Sequence, residues 1–186
     1  MENENTGRLL IISGPSGCGK NTVYDALAQR DNEIGQTVSA TTRKPRDGER
    51  DGVDYYFITE EDFLNRIDNN EFVEYVHYAN SYYGTLRSEI DRVLKLYKKV
   101  AMVIEVNGAL NIKKMYPEAI SVFLMPPSKE ALVERINCRG TMDADELARR
   151  MHTAEEEMQK SCEYDHVVVN DVLEKAVEEV YNILNL

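Results

Sequence analysis

The chain has 186 residues, a length that suits one compact domain with room for an inserted subdomain. Its formal net charge of −11 argues against general binding of nucleic acids or of anionic membrane surfaces. Apolar runs are too short for a transmembrane helix, and the three cysteines show neither a disulfide framework nor zinc-ligand spacing. We therefore expect a cytoplasmic protein that binds neither nucleic acid nor membrane and has no obligate protein partner.

The strongest pattern is a glycine-rich loop between a predicted strand over 8–13 and a predicted helix that runs to about Arg30. The loop reads Gly14-Pro15-Ser16-Gly17-Cys18-Gly19-Lys20. Glycines let backbone N–H groups converge on an anion, and the following helix N-terminus adds a partial positive charge. The spacing in this context predicts a phosphate-binding loop whose lysine reaches the outer phosphates of a nucleoside triphosphate. The alternative is a tight turn with a surface lysine.

One position departs from that pattern. The residue after the Gly-Lys pair is Asn21, where Ser or Thr is usual because its hydroxyl ligates magnesium, and Thr22 follows. Two arrangements are open: Thr22 contributes a ligand to Mg²⁺, or the ion is held mainly by substrate phosphates and water.

The rest of the chain alternates predicted strands and helices, with a β-rich segment inserted early. The insertion spans about 39–85 and contains strands at 54–58, 72–78 and 82–84, and a helix that starts after Thr59. Helices are predicted at 86–97, about Ile112, 128–137, 144–160 and 173–184, and further strands at 34–39, 100–106, 120–124 and 166–169. This order predicts an α/β fold with three layers, in which a mostly parallel sheet is covered on both faces.

Inside the insertion, residues 39–46 combine hydroxyls with two arginines, Arg43 and Arg46. Guanidinium forks match phosphate oxygens bidentately, and Tyr55 can add a hydroxyl donor. The stretch therefore predicts a second phosphate clamp, and a solvated basic loop is the alternative.

Two glutamates, Glu74 and Glu105, fall at or near the ends of predicted strands. A carboxylate can accept the N1–H and N2–H₂ donors of guanine, whereas adenine has an acceptor at N1 and no N2 amine. A glutamate that reaches a bound base would select guanine. Each is otherwise an ordinary surface carboxylate.

Arg139 and Arg150 flank the break at Gly140-Thr141 between two predicted helices. This arrangement suits a mobile lid that brings positive charge over a phosphoryl group during transfer.

Together these stretches resemble the guanylate kinase family, whose members transfer a phosphoryl group from ATP to GMP. They occur in the family's order and cover nearly the whole chain. The matching residues are 13–17, 39–46, 52–57, 70–74, 82–85, 126–128, 139–141 and 167–171. The arginine stretch together with Tyr82-Tyr83-Gly84-Thr85 is the most specific part.

The resemblance implies a P-loop nucleoside monophosphate kinase fold with a helical lid. The core would comprise 7–38, 86–137 and 162–186, the GMP-binding insertion about 39–85, and the lid about 138–161. It implies ATP-dependent phosphorylation of GMP in purine nucleotide metabolism, with Mg²⁺ as cofactor. We expect dGMP to be phosphorylated as well.

The resemblance also implies a role for each matching residue. The ATP-binding residues would be Gly14, Pro15, Ser16, Gly17, Cys18, Gly19, Lys20, Asn21, Thr22 and Asn170. The GMP-binding residues would be Ser39, Arg43, Arg46, Tyr55, Glu74, Tyr83, Thr85 and Glu105, and the catalytic residues Lys20, Arg46, Arg139 and Arg150.

Two further positions depart from the family pattern, and we expect the second departure to be mild. Val103 stands where some relatives carry a carboxylate implicated near magnesium, and Asn107 where Gln is common. Two other functions stay open at this point: an interaction module that binds a phosphorylated partner on the same surface, and a kinase for another small phosphate ester.

Overall fold

The computed structural model describes residues 8–78, 80–137 and 143–186. The strands in these ranges are β1 Arg8–Ser13, β2 Ile34–Gln36, β3 Ala40–Thr41, β4 Tyr56–Phe57, β5 Phe72–Tyr78, β6 Ser81–Leu86, β7 Lys99–Val103, β8 Ile120–Met125 and β9 His166–Val169. The helices are α1 Lys20–Arg30, α2 Glu60–Asp68, α3 Arg87–Leu96, α4 Val106–Met115, α5 Lys129–Asn137, α6 Ala144–Gln159 and α7 Leu173–Leu184, and a 3₁₀ turn covers Lys160–Glu163.

The core is a parallel five-stranded sheet in the order β2-β7-β1-β8-β9. Its central strand β1 is an apolar run because helices cover both faces. Leu10 and Ile12 pack with α1 and α7 on one side, and Leu9 and Ile11 pack with α3 and α4 on the other. The three-layer α/β fold expected from the sequence is confirmed.

The insertion forms its own four-stranded mixed sheet in the order β4-β3-β6-β5. Helix α2 closes one side, where the ring of Phe63 stacks on that of Phe72 at 4.2 Å between centroids. The helix starts where the sequence predicts, because the Thr59 hydroxyl accepts a hydrogen bond from the Asp62 amide at 3.1 Å. Strands β5 and β6 carry three of the eight residues that the resemblance assigns to GMP, namely Glu74, Tyr83 and Thr85.

Two local predictions need correction. The strand predicted over 100–106 ends at Val103, and α4 begins at Val106 because the Glu105 carboxylate caps it, accepting hydrogen bonds from the amides of Asn107 and Gly108. The short strand β3 lies in a stretch predicted to be a polar loop. Two residues are too few to show a period, and β3 forms only because β4 and β6 pair with it.

Helix α6, in the predicted lid, packs on α5 through Leu147 and Met151. Directly after it, the Lys160 ammonium donates to the Asn107 side-chain oxygen on α4 at 2.6 Å. In the described ranges, none of the helices combines the length and apolar character needed to cross a bilayer.

Candidate active site

The glycine-rich loop opens at the carboxyl end of β1 and curls back on itself, with the Cys18 amide donating to the Pro15 carbonyl at 3.2 Å. Two of its glycines are required by both conformation and space. Gly14 has φ 144° and Gly19 has φ 95°, and a Cβ would lie 2.4 Å from the Leu124 carbonyl oxygen at the first and 2.6 Å from Asn170 Nδ2 at the second. The tight curl turns backbone toward the space where an anion would bind.

Helix α1 starts from this loop with Gly19 as its N-cap, so no side chain caps its first amides. Those N–H groups and the positive end of the helix dipole are therefore available to an anion. The Lys20 ammonium arches over the loop and donates to the carbonyls of Gly14 at 2.8 Å and Pro15 at 3.1 Å. A cation and backbone donors thus converge at one place.

The Cys18 thiol of this loop is fully buried, and burial raises its pKa although Lys20 acts in the opposite direction. Because the thiolate is the reactive form, this cysteine is a packing residue and not a nucleophile.

A cavity of about 490 Å³ adjoins the loop. Asn170 borders it and donates from Nδ2 to the Cys18 carbonyl at 2.8 Å. Arg135, which the sequence analysis did not assign, donates from Nη2 to the Asn170 carbonyl at 2.9 Å. The other lining residues are Gly17, Gly19, Thr22, Glu134, Asp171 and Leu173. The position next to the loop suits the nucleoside part of a bound nucleoside triphosphate.

The predicted base-binding residues come together between the insertion and the start of α4. The Thr85 hydroxyl donates to Glu74 Oε1 at 2.8 Å and lies 3.3 Å from the Ser39 hydroxyl. The carboxylates of Glu74 and Glu105 both face Gly108, where a Cβ would lie 2.7 Å from an oxygen of the first and 3.1 Å from an oxygen of the second. Only glycine leaves room for both, so the two acids form one acceptor-rich site.

This proximity and burial change the acidity of Glu74. Burial, followed by the negative charge of Glu105, raises its pKa to about 7, while the hydrogen bond from Thr85 opposes the shift. Thr85 satisfies only part of the hydrogen-bonding capacity of this carboxylate, and the N–H groups of guanine would supply further donors.

The predicted phosphate clamp is assembled around Arg43. Its guanidinium makes two hydrogen bonds of 2.9 Å to Glu49 and lies 5.3 Å from the centroid of the Tyr55 ring. The rings of Tyr55 and Tyr83 meet edge to face at 6.1 Å. Arg46 is linked to the same carboxylate through its backbone amide, at 2.7 Å, while its side chain is exposed. Glu49, which holds Arg43 in place, was not among the predicted site residues, and no motif pointed to it.

Of the three predicted catalytic arginines, the structure describes Arg46 and Arg150. Arg150 Nη2 lies 3.0 Å from the Glu146 carboxylate on its own helix α6. Arg139 lies outside the described residues. Of the predicted catalytic residues, Lys20 alone lies at the loop among those described.

The residues near the loop offer magnesium few protein ligands. Thr22 borders the cavity, whereas Val103 offers no ligand and packs against the core. In residues 8–78, 80–137 and 143–186 there is no group of three His, Cys, Asp or Glu side chains that could hold a metal ion. One hydroxyl beside a phosphate loop fits a Mg²⁺ ion that takes most of its ligands from phosphates and water.

Several known proteins are similar to this chain. The sequence model of the family described as Guanylate kinase matches residues 6–186. A guanylate kinase of Prochlorococcus marinus is 44% identical over 181 residues, which is 97% of this chain and 98% of that protein. One of Desulfitobacterium hafniense is 38% identical over 97% of this chain and 90% of its own length.

Solved structures give the same result. The crystal structure of guanylate kinase from Anaplasma phagocytophilum superimposes with a TM-score of 0.79 at 31% identity, covering 98% of this chain and 86% of that one. A shikimate kinase from Bacteroides thetaiotaomicron matches with a TM-score of 0.54 at 16% identity, covering 96% and 99% of the two chains, a likeness of fold alone.

Proposed function

The chain belongs to the guanylate kinase family, and we propose that it transfers the terminal phosphoryl group of ATP to GMP, giving ADP and GDP. The observation that carries the proposal is the arrangement along β6. Tyr83 and Thr85 are two residues apart and project from the same face, one beside the phosphate clamp and the other against Glu74. A single strand therefore presents contacts for both ends of a nucleoside monophosphate.

The donor site is the loop of residues 14–20 with the adjoining cavity. Its backbone donors, the N-terminus of α1 and the Lys20 ammonium are suited to the triphosphate of ATP. Asn170 borders the cavity that would receive the nucleoside.

The acceptor site selects by hydrogen-bond pattern. Guanine offers N1–H and N2–H₂ to Glu74 and Glu105, and adenine cannot. Ser39 and Thr85 complete the base contacts, and the clamp residues Arg43, Arg46, Tyr55 and Tyr83 bind the phosphate. These contacts address the base and the phosphate and leave the 2′ position untouched, so we extend the proposal to dGMP.

Transfer needs no covalent intermediate with the protein. A phosphate oxygen of GMP attacks the terminal phosphorus of ATP, the bond to the bridging oxygen breaks, and ADP leaves with that oxygen. Bound Mg²⁺, with Thr22 as a protein ligand, would neutralise charge on the phosphates of ATP. Lys20 and Arg46 stabilise the charge of the transferring group, joined by Arg139 and Arg150 of the lid.

In this proposal the chain is divided into a core, a GMP-binding insertion and a lid, with the boundaries given above. Closure of insertion and lid would exclude water, which otherwise competes with GMP for the phosphoryl group. The reaction would serve purine nucleotide metabolism in the cytoplasm.

A coupled assay of ADP release with ATP and Mg²⁺ tests the proposal. GMP, dGMP, AMP, CMP and UMP are offered in turn, and we expect rapid turnover with GMP and dGMP alone. Turnover of AMP at a comparable rate would contradict the role of the two glutamates. Binding of GMP without any turnover would favour an interaction module.

A further inference from the structure

Glu89 is a buried carboxylate that the reaction as described does not use. It lies in the first turn of α3 and is only 3% exposed. A buried charge is costly unless hydrogen bonds replace its lost hydration, so its partners indicate what the residue does.

Both oxygens of Glu89 are fully engaged, and every partner is a donor. Oε1 accepts from the Val38 amide at 2.9 Å and from Arg92 Nη2 at 2.8 Å. Oε2 accepts from the Tyr56 hydroxyl at 3.1 Å and from Arg92 Nε at 2.8 Å. The planar Arg92 fork fixes the orientation of the carboxylate, which is then set to hold Val38 and Tyr56.

These partners lie where the chain passes between the core and the insertion. Val38 stands between β2 of the core and β3 of the insertion. The chain returns to the core at Leu86, the last residue of β6, and Glu89 follows in the next turn. One carboxylate thus joins the outgoing and returning segments.

The same contacts reach the proposed GMP site through the immediate chain neighbours. Ser39, a base contact, follows Val38, and Tyr55, a clamp residue, precedes Tyr56. The Tyr56 amide also donates to the Ser39 carbonyl at 2.9 Å. A shift of Glu89 would therefore move both ends of the acceptor site together.

We propose that Glu89 is a positioning residue that ties the two crossing segments together and sets the place of the GMP-binding insertion relative to the phosphate loop. The inference rests on the proposed function, because it concerns the alignment of GMP with the donor.

Glu89→Gln is the main test. The amide keeps the shape but presents an NH₂ group to donors, so it breaks part of the Arg92 fork and loosens one of the held segments. We expect the KM for GMP to rise about tenfold and kcat to fall, since misplacement of reacting groups by about an ångström is costly. The KM for ATP should stay unchanged, because the phosphate loop belongs to the core.

Tyr56→Phe is a milder variant, which removes one hydrogen bond and retains the ring. We expect its KM for GMP to rise about threefold, in line with the modest net value of one hydrogen bond. It keeps the proposal testable if the glutamine variant does not fold.

The matched control is Val180→Ala. This substitution creates a cavity in the core, on the face of the sheet covered by α1 and α7. It lowers stability without touching the crossing segments. All variants are compared by thermal unfolding, by kinetics with each substrate varied, and by calorimetric titration of GMP in the absence of ATP. A rise in the KM for GMP confined to the Glu89 and Tyr56 variants supports the proposal.

Two outcomes overturn it in distinguishable ways. If the wild-type protein binds GMP and both folded variants bind it equally well, with an unchanged KM, then Glu89 has no positioning role. If the wild-type protein binds no GMP, the proposed function fails and this inference fails with it.

Discussion

The two halves of the site are built in opposite ways. The phosphate loop is one continuous stretch, residues 14–20, and its binding groups are mainly backbone amides and one lysine. The proposed acceptor site is assembled from separate segments, with Ser39 before β3, Glu74 on β5, Thr85 on β6 and Glu105 at the start of α4. In the first, local conformation creates the site, whereas in the second tertiary packing does.

This difference has a consequence for mutation. A loop that binds through its backbone tolerates most changes of side chain. It loses binding when its glycines or its lysine are replaced. A site made of converging side chains loses binding when any one of these side chains is replaced. It also loses binding when the segments that carry them shift. Substitutions in the two halves should therefore affect different kinetic constants.

The largest effect is expected from Lys20→Ala. Removing the ammonium should lower kcat by about 10²–10³ or more, because its charge is needed most during transfer. The affinity for GMP should be nearly unchanged, as measured by calorimetry, since the acceptor site lies elsewhere. Lys175→Ala, an exposed change on α7, is the control. GMP affinity that falls in step with kcat would show that the two halves are not separate.

Glu74→Gln should come next. The amide places an NH₂ group against the donors of guanine, so the preference for GMP over AMP in kcat/KM should fall by about 10². Glu71→Gln, in the same insertion but paired with Arg66, should leave the preference intact. Unaltered discrimination in the Glu74 variant would remove this residue from the base site.

A smaller effect is expected from pH. The pKa of Glu74 is raised to about 7, so near neutral pH part of the protein must lose a proton to accept the donors of guanine. GMP affinity should therefore fall as pH is lowered, roughly tenfold at about one unit below that pKa. Calorimetry in buffers of different ionisation enthalpy should detect the released proton, and Glu74→Gln should abolish the release. A pH-independent affinity would contradict the acidity assigned to Glu74.

The same pKa shift also makes the stability of the protein depend on pH. This dependence runs in the opposite direction to that of GMP affinity. In the unfolded chain, the Glu74 carboxyl group loses its proton above its ordinary pKa of 4.5, whereas in the folded protein it keeps that proton up to about pH 7. The contribution of Glu74 is therefore most favourable at low pH and is lost as pH rises from about 4.5 to about 7.

The smallest effect is expected from Asn21→Ser, which restores the usual hydroxyl after Gly-Lys. It should lower the Mg²⁺ concentration needed for half-maximal rate by about threefold, because most ligands come from phosphates and water in either case. Titration of the rate with Mg²⁺ at fixed ATP measures this. No change in the variant would indicate that Thr22 already fills the role.

Much of the fold was predictable because its signals are local. The apolar run of β1 requires cover on both faces, and the Thr59 hydroxyl starts α2 where its sequence indicates. The prediction was wrong at the end of β7, where an apolar stretch continues past Val103. Capping by Glu105 starts a helix there, and glutamate is not among the residue types that usually mark a helix start.

The contacts of the acceptor site could not be predicted in the same way. The sequence offers Glu74 and Glu105 as candidates, and their approach to each other across Gly108 depends on how β5 packs against α4. The pairing of Arg43 with Glu49 and the engagement of Glu89 by Val38 and Tyr56 likewise join residues without any periodic relation.

The phosphate loop, most of the strands and helices, and the family resemblance could be predicted from the sequence, because each depends on residues that are neighbours along the chain. The grouping of the carboxylates, the raised pKa of Glu74 and the contacts that hold the insertion to the core became apparent only in the folded protein. These properties depend on distances of a few ångströms and on loss of water, and both arise only when separate segments pack together.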